Sequence, residues 1–405
     1  MKQRLRIAFV DDEPNILTAL RRSMLAMLDE WEMSFFRSGV ELLDRMSTEK
    51  FDIVVSDMRM PEMDGAALLN QVSHRHPETV RVILSGYADK ESIFQTIGPA
   101  HIYLAKPCDP QMLLQAINSR VMLRDLMTGH EMRKLLGGMS SLPSAPALFS
   151  RLVAELRSPR ASAAAVADII GRDVAMTAEL LKLTNSSYFA VNAKITSPLQ
   201  AVRVLGLELV QTLALQIGIF HQFQGSAEMS KQIEALNDYS FALGSIAERL
   251  ALDAGNPAEV AKASCCAALL SSIGSLILLK ERTAEYRAMF AELAPGEPLI
   301  VAERRRFGAG HGLLGAYLLS LWGFADPIVE AVAFAAEPSR CLNRANPILT
   351  ALHLAAAEGP SFPLLPASRP VTVHDTGYLA EVGQSRRANP GKSTVSTSSG
   401  GGDND

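Results

Sequence analysis

The sequence predicts two domains of different class: an α/β domain built on a parallel sheet, followed by an all-α domain. Short apolar runs at 5–10, 52–56, 81–84 and 102–105 alternate with stretches of helical period, the pattern of buried parallel strands. After residue 108, strand-like runs nearly vanish and helical spacing dominates to about residue 358. The 405 residues leave room for two real cores.

Each apolar run ends in a polar or charged group. Asp11 and Asp12 follow the first, Asp57 the second, Ser85 the third and Lys106 the fourth. In open α/β sheets the functional groups gather at the carboxyl ends of the strands. A lone carboxylate there is often only a helix cap, but five such groups together point to a site. Clustered carboxylates repel and need a cation; Mg²⁺ suits them, because it takes oxygen ligands and keeps waters. Asp57 is the expected nucleophile, since a carboxylate can accept a phosphoryl group as an acyl phosphate. Lys106 and the metal would neutralise the transferring oxygens, and the Ser85 hydroxyl would donate to one of them.

Four strings carry a family resemblance: Val10-Asp11-Asp12-Glu13-Pro14, Ser56-Asp57-Met58-Arg59-Met60-Pro61 through Gly65, Leu84-Ser85-Gly86-Tyr87-Ala88-Asp89, and Tyr103-Leu104-Ala105-Lys106-Pro107. On these, residues 1–125 resemble the receiver domain of two-component response regulators. The resemblance implies a flavodoxin-like (βα)5 fold with Asp57 as phosphoacceptor. It also implies a Mg²⁺ site at Asp11, Asp12, Asp57 and the backbone carbonyl of Arg59. Ser85 and Tyr103 match the switch pair, and Lys106 matches the lysine that holds the phosphoryl oxygens. The implied upstream partner is a sensor histidine kinase or a phosphotransfer protein.

Composition excludes several classes. Net charge is -4 with both signs mixed, and no basic terminal helix-turn-helix pattern is present, so direct DNA binding is not expected. The N-terminus is polar and enters the first strand at once, which does not suit a cleavable signal. The longest uncharged run, 263–279, holds serines and a glycine and is short for a membrane span, so a buried core helix is expected. Cys108, Cys265, Cys266 and Cys341 form no paired CxxC, which predicts a reducing cytoplasmic setting and no zinc.

The helical half can be divided by its caps. A helix beginning after Asp109-Pro110 has a pattern that runs on through Leu126, Met132 and Leu135 to Gly137-Gly138, with residues 126–141 as a helical linker. Arg124 and His130 interrupt its heptads, so a homodimer through this segment has only weak support. Leu142-Pro143-Ser144 opens the next helix, containing Leu148, Leu152 and Leu156. Ser162 is a predicted N-cap, and Ser197-Pro198 a predicted helix start with proline at the first helical position. A helical extension is expected over 341–384. Residues 385–405, rich in Gly, Ser, Thr, Asn and Asp, should be disordered.

Residues 142–340 resemble the HDOD domain, a helical output module related to HD phosphohydrolases. The carrying strings are Leu142-Pro143-Ser144-Ala145-Pro146, Ile169-Ile170-Gly171-Arg172-Asp173, Leu180 through Ser186, and Ser197-Pro198-Leu199-Gln200-Ala201-Val202-Arg203-Val204-Leu205-Gly206-Leu207. In the catalytic relatives a histidine, a His-Asp pair and further histidines bind metals. The matching positions here are Tyr239, then Ser271 and Ser272, then Ala335-Ala336, and serine hydroxyls do not replace imidazole and carboxylate around Mn²⁺ or Fe²⁺. The resemblance therefore implies a non-catalytic module without a cofactor that acts through an output protein, a cyclic-dinucleotide signalling enzyme being one candidate. The alternative is a cyclic-di-GMP phosphodiesterase of the HD-GYP type. His311 survives nearby and is expected at a helix start, and Arg304 to Arg306 on a solvated face.

Overall fold

The computed structural model describes residues 4–27, 29–85, 100–106, 108, 110–139, 141–185, 194–294, 296–365 and 372–384. The expectations for Gly86–Asp89, Pro107 and the tail 385–405 fall outside these residues.

The first domain is a parallel five-stranded sheet of β1 (Leu5–Val10), β2 (Trp31–Phe36), β3 (Ile53–Asp57), β4 (Val80–Ser85) and β5 (Ile102–Ala105), in the order β2-β1-β3-β4-β5. This is the flavodoxin-like order, with the chain reversing direction between β1 and β3. Alternate residues face opposite sides, as the pleat requires. Ile7, Phe9, Val55, Val82 and Leu84 enter one core, and Ala8, Val10, Val54 and Ile83 enter the other. The second core is closed by α2 (Gly39–Met46) and α3 (Gly65–Arg75) through Leu42, Leu68, Leu69 and Val72. The first is covered in part by α1 (Pro14–Ser23) through Leu17 and by α4 (Pro110–Leu126) through Leu113 and Ile117. The edge strand β2 has no continuous apolar run: Glu32 and Ser34 interrupt it, and only Trp31 and Phe36 are buried.

The helix pattern that continues past residue 126 is broken in the structure. α4 stops at Leu126, and α5 (His130–Gly138) restarts after a three-residue joint. Thr128 fixes the joint by donating its backbone N–H (3.2 Å) and its Oγ1 (3.1 Å) to the Gly308 carbonyl of the second domain. The sequence pattern leaves one helix or two jointed pieces open; the structure has two, with a tertiary contact at the joint.

The second domain is helical. Its first helix, α6 (Pro146–Leu156), begins four residues after Leu142, where Leu142-Pro143-Ser144 was expected to open it, because Pro143–Ser144 pairs as a short parallel strand with His221–Gln222. α7 (Ala163–Gly171) is capped by Ser162, whose side chain accepts from the Ala165 amide. α8 (Val174–Thr184) is followed by α9 (Pro198–Leu205), capped by Ser197 as expected, and α10 (Leu207–Thr212). The long α11 (Ala227–Asp253) packs on α12 (Ala258–Leu270). Then come α13 (Ile273–Glu281), α14 (Thr283–Glu292), α15 (Leu299–Phe307), α16 (His311–Leu321) and α17 (Asp326–Phe334). α18 (Pro347–Glu358) lies against α11, α12 and α17, and α19 (Thr376–Glu381) follows. The apolar segment from Ala258 to Glu281 has the length and composition to cross a membrane, yet it is split at residues 271–272 and 83% of its most apolar window is buried inside the fold.

The apolar core is continuous across the two domains. Leu123, Met127, Met132, Leu136 and Met139 link the sheet's first core to that of the helical bundle. α4 and α5 both pack against α16.

Candidate functional site

The carboxyl ends of β1, β3, β4 and β5 lie side by side because the strands are in register: Val10 pairs with Ser56, Asp57 with Leu84, and Ser85 with Ala105. Asp57 ends β3 and is buried, and Asp11, just beyond β1, is almost fully so. Carboxylate oxygens of Asp11, Asp12 and Asp57 all lie within 4.8 Å of one another. Lys106, just beyond β5, reaches into them: Nζ is 2.8 Å from Asp11 Oδ2 and 2.5 Å from Asp57 Oδ1. Asp11 Oδ1 accepts from the Glu13 amide (2.9 Å), and Asp57 Oδ2 from the Arg59 amide (3.2 Å).

The electrostatics follow from burial. Desolvation raises the Asp57 carboxyl; the Lys106 ammonium pulls it down but does not fully offset burial, and Asp11 adds to the rise. Burial alone would lower Lys106, but its bonds to Asp11 and Asp57 outweigh this and leave it raised. Three carboxylates thus face one ammonium, an excess of negative charge in a partly dry site. Their hard oxygen donors suit a divalent cation of the Mg²⁺ type, so the residues present fit the metal that the sequence suggests.

The loop after β3 is held close to Asp57. Gly65 donates its amide to the Met58 carbonyl (2.9 Å), and a Cβ at Gly65 would lie 2.2 Å from the Asp57 carbonyl oxygen. Only glycine permits that approach. Ser85 closes β4, and Tyr103 lies in β5 opposite Ile83. Their side chains are outside the described residues, so the switch expectation rests on strand position alone.

The second predicted set is also brought together. Tyr239, Ser271, Ser272, Ala335 and Ala336 line one cavity with His311, whose volume is about 30 Å³. That is about the space of one water. Ser240 donates to Ser272 Oγ (2.7 Å). His311 is the first residue of α16, as expected, and its Nδ1 lies 2.6 Å from Glu303 Oε2. Glu303 is fully buried and also accepts from the His311 amide (2.8 Å) and the Tyr286 hydroxyl (2.9 Å). Burial pushes the His311 imidazole down, but the Glu303 carboxylate overcomes this and raises it. Phe362 fills the space, stacked on His311 at 6.1 Å and edge-on to Tyr239 at 5.3 Å between ring centroids. Sequence reasoning missed both Glu303 and Phe362. A carboxylate eight residues before His311, beside the arginines of α15, was a usable signal, but nothing in the sequence marks Phe362. Arg304 and Arg305 are exposed and paired with Glu337 and Glu297.

Comparison with known proteins agrees with both halves. Residues 7–118 match the family model for the response regulator receiver domain, and residues 142–338 match that for the HDOD domain. The chain is a response regulator that joins a receiver domain to an HDOD domain. NtrC of Klebsiella pneumoniae, a DNA-binding transcriptional regulator, is 37% identical over 101 residues, covering 25% of this chain and 21% of the relative. An uncharacterized protein of Treponema pallidum is 26% identical over 203 residues, 48% of this chain and 38% of the relative. The chain therefore spans well under half the length of these curated relatives. Among solved structures, the MmoQ response regulator of Methylococcus capsulatus is similar at 24% identity, covering 60% of this chain and 97% of that one with a TM-score of 0.44. A signal receiver domain of an HD domain-containing protein from Pseudomonas fluorescens is 31% identical, covering 29% and 93%, with a TM-score of 0.27.

Proposed function

We propose that the chain is a phosphorylation-controlled regulator of a two-component system. In this reading Asp57 takes a phosphoryl group from a histidine kinase or phosphotransfer protein, and a non-catalytic HDOD domain carries the signal by protein contacts. The carrying observation is the Lys106 ammonium set between Asp11 and Asp57 inside a carboxylate cluster. The working units are a receiver over 1–125, a joint at 126–141, the HDOD module over 142–340, an extension over 341–384 and a tail from 385. A cytoplasmic location fits this role.

An Asp57 carboxylate oxygen attacks phosphorus while the bond to the donor nitrogen breaks, and the donor imidazole, protonated on its other ring nitrogen, leaves as the neutral base. Lys106 holds charge on the resulting acyl phosphate. A Mg²⁺ ion held by Asp11, Asp12, Asp57 and the Arg59 carbonyl would supply the remaining neutralisation of the phosphoryl oxygens. Ser85 and Tyr103 are the proposed switch residues at the strand ends. Receivers are two-state elements, so a few kcal/mol of differential stabilisation suffices to move the population.

The route to the output starts at α4, which packs against α16, the helix that begins at His311. The loss of metal chemistry is inferred from Tyr239, Ser271 and Ser272 in a 30 Å³ cavity packed by Phe362. Intact-mass measurement after incubation with acetyl phosphate and Mg²⁺ tests the first half. One phosphoryl adduct on wild type and none on Asp57→Ala is expected; equal labelling of both would refute it. Robust hydrolysis of cyclic di-GMP by the metal-loaded protein would refute the second half and restore the phosphodiesterase alternative.

A further inference from the structure

The joint between α4 and α5 meets the turn before His311 backbone to backbone. Thr128 donates its amide (3.2 Å) and its Oγ1 (3.1 Å) to the Gly308 carbonyl. Gly308, the C-cap of α15, sits at φ +77°, and a Cβ there would lie 2.6 Å from the Gly129 nitrogen. From the other side, a Cβ at Gly129 would lie 2.8 Å from the Phe307 carbonyl oxygen. Only glycine on both sides allows so close a contact.

The same turn carries His311 into the HDOD cavity. Gly310 packs back on α15, where a Cβ would come within 2.4 Å of Ile300 Cγ1. The His311 amide and Nδ1 both bond to Glu303 Oε2 of that helix, at 2.8 and 2.6 Å. Gly274 of α13 closes on the next peptide group, since a Cβ there would lie 1.9 Å from the His311 carbonyl oxygen. Gly312 approaches α17 likewise, its Cβ position 2.7 Å from the Val332 carbonyl oxygen. A side chain absorbs a displacement by changing rotamer, whereas backbone wedged against backbone passes it on. Residues 308–312 therefore shift as one body, and the imidazole shifts with them against Tyr239, Ser271 and Ser272.

We propose that the Thr128–Gly129 joint drives this turn, so that movement of the receiver against the bundle repositions His311 and Glu303 in the HDOD cavity. The input rests on phosphoryl control at Asp57 as proposed above. The route is separate from the packing of α4 along α16, because it enters α16 at its first residue through the chain that precedes it. His311 is then the moving part of the cavity, and its bonds to Glu303 are what the receiver sets. Packed elements exchange discrete arrangements rather than deform smoothly, so a small displacement at the joint suffices. In a cavity of about 30 Å³, that displacement decides whether a single water fits beside the ring.

The test follows the His311 imidazole by NMR in the full chain labelled at histidine, with His311→Asn to assign the signal. Gly129→Ala is the wedge: its backbone, at φ -83° and ψ 109°, accepts alanine, and the new methyl meets the Phe307 carbonyl. Thr128→Val removes only the hydroxyl donor and serves as the milder variant. Gly138→Ala, whose methyl would make an ordinary 3.5 Å contact with Pro77, is the control in the same segment. The His311 signal should move in the first two variants and stay in the third. The His311 amide should exchange roughly tenfold faster in Gly129→Ala, as its bond to Glu303 opens more often. Fluoroberyllate plus Mg²⁺ should shift the signal in wild type and less in Gly129→Ala, with the fluorine resonance of the bound ion reporting occupancy of Asp57. A His311 signal unmoved by both Gly129→Ala and Thr128→Val, or still while fluoroberyllate is bound, would overturn the proposal. Failure of fluoroberyllate to bind, with His311 moved by the wedge, would uphold the coupling and count against the Asp57 reading instead.

Discussion

Lys106 is the residue on which the acidic site turns. Its ammonium contacts Asp11 and Asp57 at once, so replacing it removes a cation from a site with excess negative charge. Lys106→Gln should slow phosphoryl uptake from acetyl phosphate by about a hundredfold, the scale of losing one electrostatic stabiliser. Retention of the wild-type rate would show that Lys106 serves only packing. Gly65→Ala tests the loop beneath the nucleophile. The new Cβ would meet the Asp57 carbonyl oxygen at 2.2 Å, so backbone must shift, and we expect roughly 1–3 kcal/mol of destabilisation in urea melts. At this scale the site was plain in the sequence, because Asp11, Asp12, Asp57 and Lys106 each follow an apolar run. Glu303 and Phe362 were not plain. Their roles come from contacts across 8 and, in space, 51 residues of chain to His311, which local pattern does not encode.

At the scale of elements, two buried imidazoles act as pins. His353 in α18 donates from Nδ1 to the Ala335 carbonyl (2.7 Å) and accepts at Nε2 from the Asp375 amide (3.0 Å), which ties the C-terminal segment to α17. His101 accepts at Nδ1 from the Arg81 amide (3.2 Å), and its Nε2 lies 3.0 Å from the Gly137 carbonyl of α5 and 2.7 Å from the Arg81 guanidinium. Both are lowered below the ordinary histidine value of 6.5, chiefly by burial. An unfolded chain would take up those protons near pH 6.5 while the folded chain resists. The stabilisation is therefore complete above pH 6.5 and is lost as pH falls below it. His311 runs the other way, since its raised value gives stability that is lost as pH rises through it. Comparing urea midpoints at about pH 7.5 and about pH 5.5 in wild type and His353→Asn separates the two, because the acid-side loss should shrink in the variant. An unchanged pH dependence would mean His353 is not a pin. Helix starts at Ser162 and Ser197 were visible from their caps, whereas the sequence left the break after Leu126 open, and Gly308, the C-cap of α15, fixes it in the structure. The edge strand β2 escaped notice for a related reason, its alternation being blurred by partial exposure.

At the scale of the whole molecule, one apolar core runs from the sheet through Leu123, Met127 and Leu136 into the bundle. The receiver is therefore packed onto its output domain through α4 and α5, and the class of each domain followed from the run lengths and from the loss of strands after residue 108. Phe362→Ala should cost about 3–5 kcal/mol by emptying a packed space, without creating a metal site, since no acidic or imidazole set surrounds it besides His311 and Glu303 among the described residues. Bound manganese appearing in that variant would contradict the non-catalytic reading. The central claim is that charge at Asp57 reaches α16 through this shared packing. Hydrogen exchange of the full chain, with and without fluoroberyllate plus Mg²⁺, tests it most directly in wild type and Asp57→Ala. The account predicts altered protection in residues 110–138 and 311–321 of wild type alone. Identical exchange in all four samples would contradict it.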